Sequence, residues 1–218
     1  MAPETPLEIC ELFYSIQGES SYAGYPCFFI RLAGCNLRCT YCDSRYAWEG
    51  PFESYPVSRI LAKLDHYPGV MVELTGGEPL LQRGVYPLIG QLLRAGRKVL
   101  LETNGSLGLE DVPPDVVKIV DVKCPGSGMH EKMNPANFGF INPRDEIKFV
   151  ISSRKDYDWA VQFLRSHDLQ RRSTLTFSPV IAVLPPAELA AWILEDRLPV
   201  RLRLQLHTIL WPGRTRGC

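Results

Sequence analysis

Apolar and polar positions divide the chain into two alternating kinds of segment. Short runs dense in branched and aromatic residues recur at 26–34 (PCFFIRLAG), 70–77 (VMVELTGG), 98–105 (KVLLETNG), 116–123 (VVKIVDVK), 146–152 (EIKFVIS) and 173–180 (STLTFSPV), and each reads as a strand. Helical spacing lies between them. Residues 57–67 put Ile60, Leu61 and Leu64 on one face, and 84–96 run from a proline near the start to Gly96. Residues 155–168 and 186–196 are two further helices, and RLRLQLHTI at 201–209 alternates as a final strand.

Nearly continuous apolar strands that alternate with helices are the pattern of a parallel sheet covered by helices. About six or seven strands in this length favour an α/β fold built as a partial, abbreviated β/α barrel, with a doubly wound sheet as the rival. There is no internal repeat and no second domain, so 1–218 reads as one unit. Polar and glycine residues gather just past strand ends, at 35–42, at 76–78, at Asn104 and at Lys123. Parallel α/β folds bind ligands at that edge. The proline- and glycine-rich connection 123–145 is expected to be an active-site loop rather than a linker.

Composition narrows the class. Net charge is zero and 45% of residues are apolar, which argues against a disordered chain or a nucleic-acid-binding tail. No apolar run reaches bilayer length, and the first residues lack a basic segment before an apolar one, so a cytoplasmic enzyme with no membrane contact is expected. Seven cysteines without a secretion signal favour metal-bound thiolates over disulfides.

Three of those cysteines fall within eight positions of RLAGCNLRCTYCDS: Cys35, Cys39 and Cys42. Three thiolates are one short of a closed structural zinc site, with Cys27, Cys124 or a histidine available as a fourth ligand. An iron–sulfur cluster with one iron left open is the alternative. TGGEP at 75–79 can turn backbone groups toward a ligand or simply make a turn. Glu102 and Asn104 can reach a ribose or cap a turn, and Asp121 and Lys123 share a face if their strand persists. Arg31 sits inside an apolar strand and requires an anion, either Glu19 or a substrate carboxylate. His207, on the expected final strand, can be structural or functional.

The spacing C-x3-C-x2-C with Tyr41 before the last cysteine resembles the signature of radical S-adenosylmethionine (SAM) enzymes. GGEP follows at the distance usual in that superfamily. LFYSIQGES, GYPCFFIRLAGCNLRCTYCDS, VELTGGEPLLQ, VLLETNG and QLHTILWPG resemble the 7-carboxy-7-deazaguanine synthases over nearly the whole chain. The resemblance implies a [4Fe-4S] cluster on Cys35, Cys39 and Cys42, with SAM on the open iron and its 5′-deoxyadenosyl radical starting the reaction. It implies SAM contacts from Tyr41, Gly76, Gly77, Glu78, Glu102, Asn104, Asp121, Lys123 and Ser178. It places Gln17, Gly18, Glu19, Arg31, Thr75, His207 and the C-terminal Cys218 around the substrate, Mg²⁺ on Thr40, and leaves Cys124 free. The implied reaction contracts the ring of 6-carboxy-5,6,7,8-tetrahydropterin to 7-carboxy-7-deazaguanine, releases ammonia and regenerates SAM. No side-chain acid or base starts it. A homodimer fed by an external donor such as flavodoxin or ferredoxin is also implied. The competing readings are an activase of a glycyl-radical enzyme, which shares the cysteine loop, and a structural zinc protein.

Overall fold

The computed structural model describes residues 5–218. One nine-stranded sheet contains β1 (Leu7–Ile16), β2 (Pro26–Leu32), β3 (Glu53–Tyr55), β4 (Met71–Gly76), β5 (Val99–Thr103), β6 (Val117–Val122), β7 (Glu146–Ile151), β8 (Thr174–Pro179) and β9 (Arg201–Leu202). Its order is β3-β1-β2-β4-β5-β6-β7-β8-β9. From β2 to β9 every neighbouring pair is parallel, whereas β1 runs antiparallel to β2 and β3. Strand order never reverses along the parallel stretch. Right-handed crossovers therefore lay the connecting helices on one side of the sheet, whereas a doubly wound sheet needs a reversal. The fold is the partial β/α barrel.

The helices α2 (Val57–Leu64), α3 (Val85–Arg94), α4 (Arg154–Ser166) and α5 (Pro186–Glu195) form where the apolar spacing predicts them, while α1 (Tyr46–Glu49) is an unpredicted single turn. Ile60 and Leu64 of α2 and Leu88 and Leu92 of α3 pack on Ile30, Leu74, Leu101 and Val120 of the sheet. Tyr157 and Leu164 of α4 and Leu189 of α5 cover Phe149 and Phe177. Each fully buried side chain of this size contributes about 1.5–3 kcal/mol, so these two clusters hold the helices to the outer face.

The inner face carries the alternate residues, as the period of a strand demands. Its lower part is apolar, with Cys27, Phe29, Met71, Leu100, Val117 and Ile119 in one cluster. Arg31 and Thr75 pair in register toward the C-terminal end of β2 and β4, and Asp121 and Lys148 do so on β6 and β7. Glu73 and Glu146 interrupt the apolar part, in register with Phe29 and with Ile119.

Two expectations fail. β1 was not foreseen, because Glu8, Glu11 and Ser15 interrupt its apolar positions; it forms as the outer arm of a hairpin with β2. The strand expected over 201–209 is only Arg201–Leu202, and Leu206–Leu210 forms a short helix, α6. The Leu206 N–H donates to Gly18 O at 3.1 Å, which draws the chain off the sheet edge toward the N-terminal hairpin. The connection 123–145 folds as short 3-10 turns beside the cysteine loop, where Thr40 N–H donates to Ser127 O. Only Lys123, at its start, reaches the cavity described next.

Candidate active site

A cavity of about 530 Å³ opens at the C-terminal end of the parallel strands. The cysteine loop forms its rim. Gly34 leaves β2 with positive φ, and its N–H donates to Ala47 O at 2.8 Å. The β4 turn is stitched to the same loop: Gly77 N–H donates to Leu32 O, and Glu78 N–H to Gly34 O at 2.8 Å. A Cβ on Gly77 would collide with Gly34 O and sit 2.8 Å from the Cys35 Cβ. A Cβ on Gly76, at φ +144°, would sit 2.7 Å from Leu32 N. The glycines of TGGEP are therefore required by the close approach of two backbones, and both line the cavity.

Cys35, Cys39 and Cys42 are free thiols lining this one cavity. Leu37 N–H donates to Cys35 Sγ at 3.4 Å and Asn104 Nδ2 at 3.7 Å, contacts of the kind that tune a cluster sulfur. Burial raises the Cys39 thiol, so binding a metal there must release a proton. Cys124 and Cys27 are fully buried in the apolar clusters and do not line the cavity, which removes both as a fourth ligand. Among the described residues, no three His, Cys, Asp or Glu side chains converge at single-ion distance. A cluster spreads its ligands over separate irons, so three soft thiols on one rim fit it. Tyr41 lines the cavity beside them and donates from its hydroxyl to Val150 O at 3.2 Å.

Two of the expected ligand residues are not among those that line the cavity. Thr40 donates its hydroxyl to Gly126 O at 2.7 Å and lies outside the cavity lining; its oxygen keeps its lone pairs for a hard ion such as Mg²⁺. Glu78 is fully buried, and its carboxylate accepts from Leu80 N–H, Asn104 N–H and the Thr103 hydroxyl. Burial pushes its pKa up to about 7 against those donors. Glu78 ties the β4 turn to the end of β5 and does not line the cavity.

The far wall comes from the N-terminal hairpin and the C-terminal segment. Gln17, 2% exposed, donates to Glu73 Oε2 at 3.0 Å and accepts the N–H groups of Glu19 and Ser20. Ser21 is tied to Glu146 through its N–H and hydroxyl. These bonds hold Gly18 and Glu19 over the sheet. Gly18 packs tightly against α6, since a Cβ there would sit 3.3 Å from His207 N. His207 Nδ1 lies 3.8 Å from Glu19 Oε1, and Gln205 Nε2 bridges Glu19 and Asp43 at 3.0 and 2.9 Å.

Arg31 does not pair with Glu19. Its Nε donates to Glu11 Oε1 at 2.8 Å, because Glu11 stands opposite it in the β1–β2 register. The guanidinium carbon lies 5.7 Å from the ring centroids of both Phe13 and Tyr46. Burial works against its charge, but Tyr46 and Glu11 more than compensate. Glu11 also accepts from the Tyr46 hydroxyl and from Gly217 N–H, which brings Cys218 to the cavity wall.

The floor is polar. Thr75 donates to Glu102 at 3.0 Å, Lys123 lies 2.7 Å from Asp121, and Ser178 and Asn104 complete it. Lys148, which no motif marked, lies among Glu19, Glu102 and Asp121. Glu73, Glu11 and Gln205 were also missed. Lys148 gave the same signal as Arg31, a cation inside an apolar strand; Glu73 likewise interrupts VMVELTGG.

The Radical SAM superfamily profile matches residues 29–122. A 7-carboxy-7-deazaguanine synthase of Koribacter versatilis is 46% identical over 226 residues, covering 97% of this chain and 100% of that protein. One of Chlorobaculum tepidum is 46% identical over 220 residues, covering 100% of both. The crystal structure of QueE from Escherichia coli shares the fold, with a TM-score of 0.75 at 22% identity over 92% of this chain and 94% of that one. With a cavity rimmed by the superfamily's three cysteines and relatives matched end to end, the chain belongs to the 7-carboxy-7-deazaguanine synthase family of radical SAM enzymes.

Proposed function

We propose that this chain converts 6-carboxy-5,6,7,8-tetrahydropterin to 7-carboxy-7-deazaguanine with loss of ammonia, using SAM and a four-iron cluster on Cys35, Cys39 and Cys42. The carrying observation is the division of one cavity: thiols on one rim, fixed polar groups of both signs on the opposite wall and floor. When bound, the reduced cluster and SAM supply a hydrogen-atom abstractor for substrate C6, chemistry that no side chain here performs.

The chain's own task is to bind, orient and keep water out. Gly76 and Gly77 line the cavity beside the cysteine rim, a place suited to the amino end of SAM, and Asn104 and Ser178 lie on the adjoining floor. Arg31 lines the cavity with its Nε committed to Glu11; the other edge of its fork suits the substrate carboxylate. Glu19 suits the N–H groups of the pterin ring, and so does Glu102, which the resemblance gave to SAM but which shares Lys148 with Glu19. Family membership also supports a homodimer that takes electrons from a flavodoxin or ferredoxin in the cytoplasm. No helix among the described residues is long and apolar enough to cross a membrane.

Anaerobic reconstitution is expected to load about four irons and four sulfides, and replacing any of the three rim cysteines to abolish this while C124A retains it. Turnover with reductant should give 7-carboxy-7-deazaguanine by mass spectrometry, in large excess over 5′-deoxyadenosine. Stoichiometric zinc without sulfide, or no such product from wild type, would sink the reading. Product and 5′-deoxyadenosine in equal amounts would make SAM a consumed co-substrate.

A further inference from the structure

Lys148 lies in the middle of β7, in register with Asp121 on β6 and Thr176 on β8. Its side chain is 4% exposed. The ammonium is 3.2 Å from Glu19 Oε2 and 3.2 Å from Asp121 Oδ1, and it is hydrogen-bonded to Glu102 Oε1. A nitrogen with three N–H donors is thus met by three carboxylates, one each from the 17–21 loop, β5 and β6. All three line the cavity, and two make further bonds there: Glu19, which Gln205 also holds, and Glu102, which accepts from Thr75. The third, Asp121, also carries Lys123, whose charge acts on Cys39.

We propose that Lys148 is a positioning residue that holds Glu19 and Glu102 as two hydrogen-bond acceptors at a fixed separation, so that a ring with adjacent N–H donors enters the cavity in one orientation. This inference rests on the pterin reading above, since the amino-pyrimidinone edge of a pterin presents such donors. Two carboxylates on one ammonium repel each other, and the cation between them offsets that repulsion. Burial raises the Glu19 carboxyl, with Lys148 the foremost group opposing that rise and Glu102 and Asp43 adding to it. Without the ammonium, Glu19 keeps Gln205 and His207, and Glu102 keeps Thr75. None of these three spans the pair.

The test compares wild type, K148M, K148R, E19Q and the double variant E19Q/K148M, each anaerobically reconstituted, for bound iron, SAM affinity, and KM and kcat with the tetrahydropterin. K148M is expected to keep its iron and SAM affinity while KM rises roughly tenfold or more, the worth of a hydrogen bond to a charged group. The fall in kcat should be smaller, and K148R, which keeps the charge, should recover part of the affinity. In the E19Q background, K148M should add less than it does alone, because part of the lysine's effect runs through Glu19. An unchanged KM in K148M, or effects of E19Q and K148M that simply multiply, overturns the proposal. If K148M does not fold, K148Q carries the same comparison, and failure of both to fold makes the lysine structural and overturns it too. Absence of product from wild type defeats the functional reading together with this one; normal wild-type turnover beside an indifferent K148M defeats only the lysine.

Discussion

Arg31 shows how one side chain can be committed and available at once. A guanidinium cannot shed its charge, so burial obliges it to find an anion, and Glu11 supplies one at its Nε. The Phe13 and Tyr46 rings lie close to it. That leaves the outer edge of the fork for a carboxylate in the cavity. R31A is expected to retain iron and bind SAM yet lose turnover by about a hundredfold or more, the scale of a lost positioning contact. R31K should rescue poorly, because a point charge cannot reach Glu11 and a substrate carboxylate in the same geometry. Anaerobic turnover alongside SAM titration checks this. Wild-type turnover in a soluble, iron-loaded R31A would make the Glu11 pair a purely structural brace for the hairpin.

The informative unit among elements is the junction between the β4 turn and the cysteine loop. Gly77 and Gly34 pass so closely that backbone meets backbone. Neither can retreat, because β2 and β4 are parallel neighbours up to Leu32 and Gly76. G77A must push the loop outward, and the strain lands on Cys35. Overpacking of this kind costs about 1–3 kcal/mol. The expected outcome is a folded chain, a few degrees less stable, that takes up much less iron and binds SAM weakly. Thermal melting of the cluster-free protein together with iron content after reconstitution would show it. Full iron and SAM binding in G77A would mean that the loop yields without disturbing its cysteines.

For the whole molecule, the cost of an open polar cavity in a packed barrel appears in its pH dependence. Glu73 is 2% exposed, and burial, followed by the nearby Glu102 charge, pushes its carboxyl up to about 8. In the unfolded chain a glutamate titrates near 4.3. Between about pH 4 and pH 8 the folded chain therefore holds a proton that the unfolded chain has released. Stability falls as pH rises through that window, by an amount on the order of a few kcal/mol. Glu73→Gln keeps an acceptor for Gln17 and cannot ionise, so it should flatten this slope and stabilise the protein most near pH 8. Urea unfolding of the cluster-free protein at pH 5 and pH 8.5 measures both effects. An identical slope in the variant would show that Glu73 is ionised in the folded state.

What the sequence determined by itself was local and periodic. The six apolar strand runs and four amphipathic helices lie within a few residues of where their spacing puts them, because burial on one face is written into consecutive positions. The cysteine signature, GGEP and the strand-end polar clusters were legible for the same reason: their chemistry is packed into short segments. The tertiary structure decided the pairings. Arg31 met Glu11 rather than Glu19 because a strand with interrupted apolar spacing folded beside it. Residues 206–210 became helix rather than strand, and His207 came to Glu19, as the chain end closed on the hairpin. Lys148 and Glu73 belong to no motif. They matter because a sheet brings its inner face together from separate strands, and that convergence depends on strand order and register rather than on the sequence of any one strand.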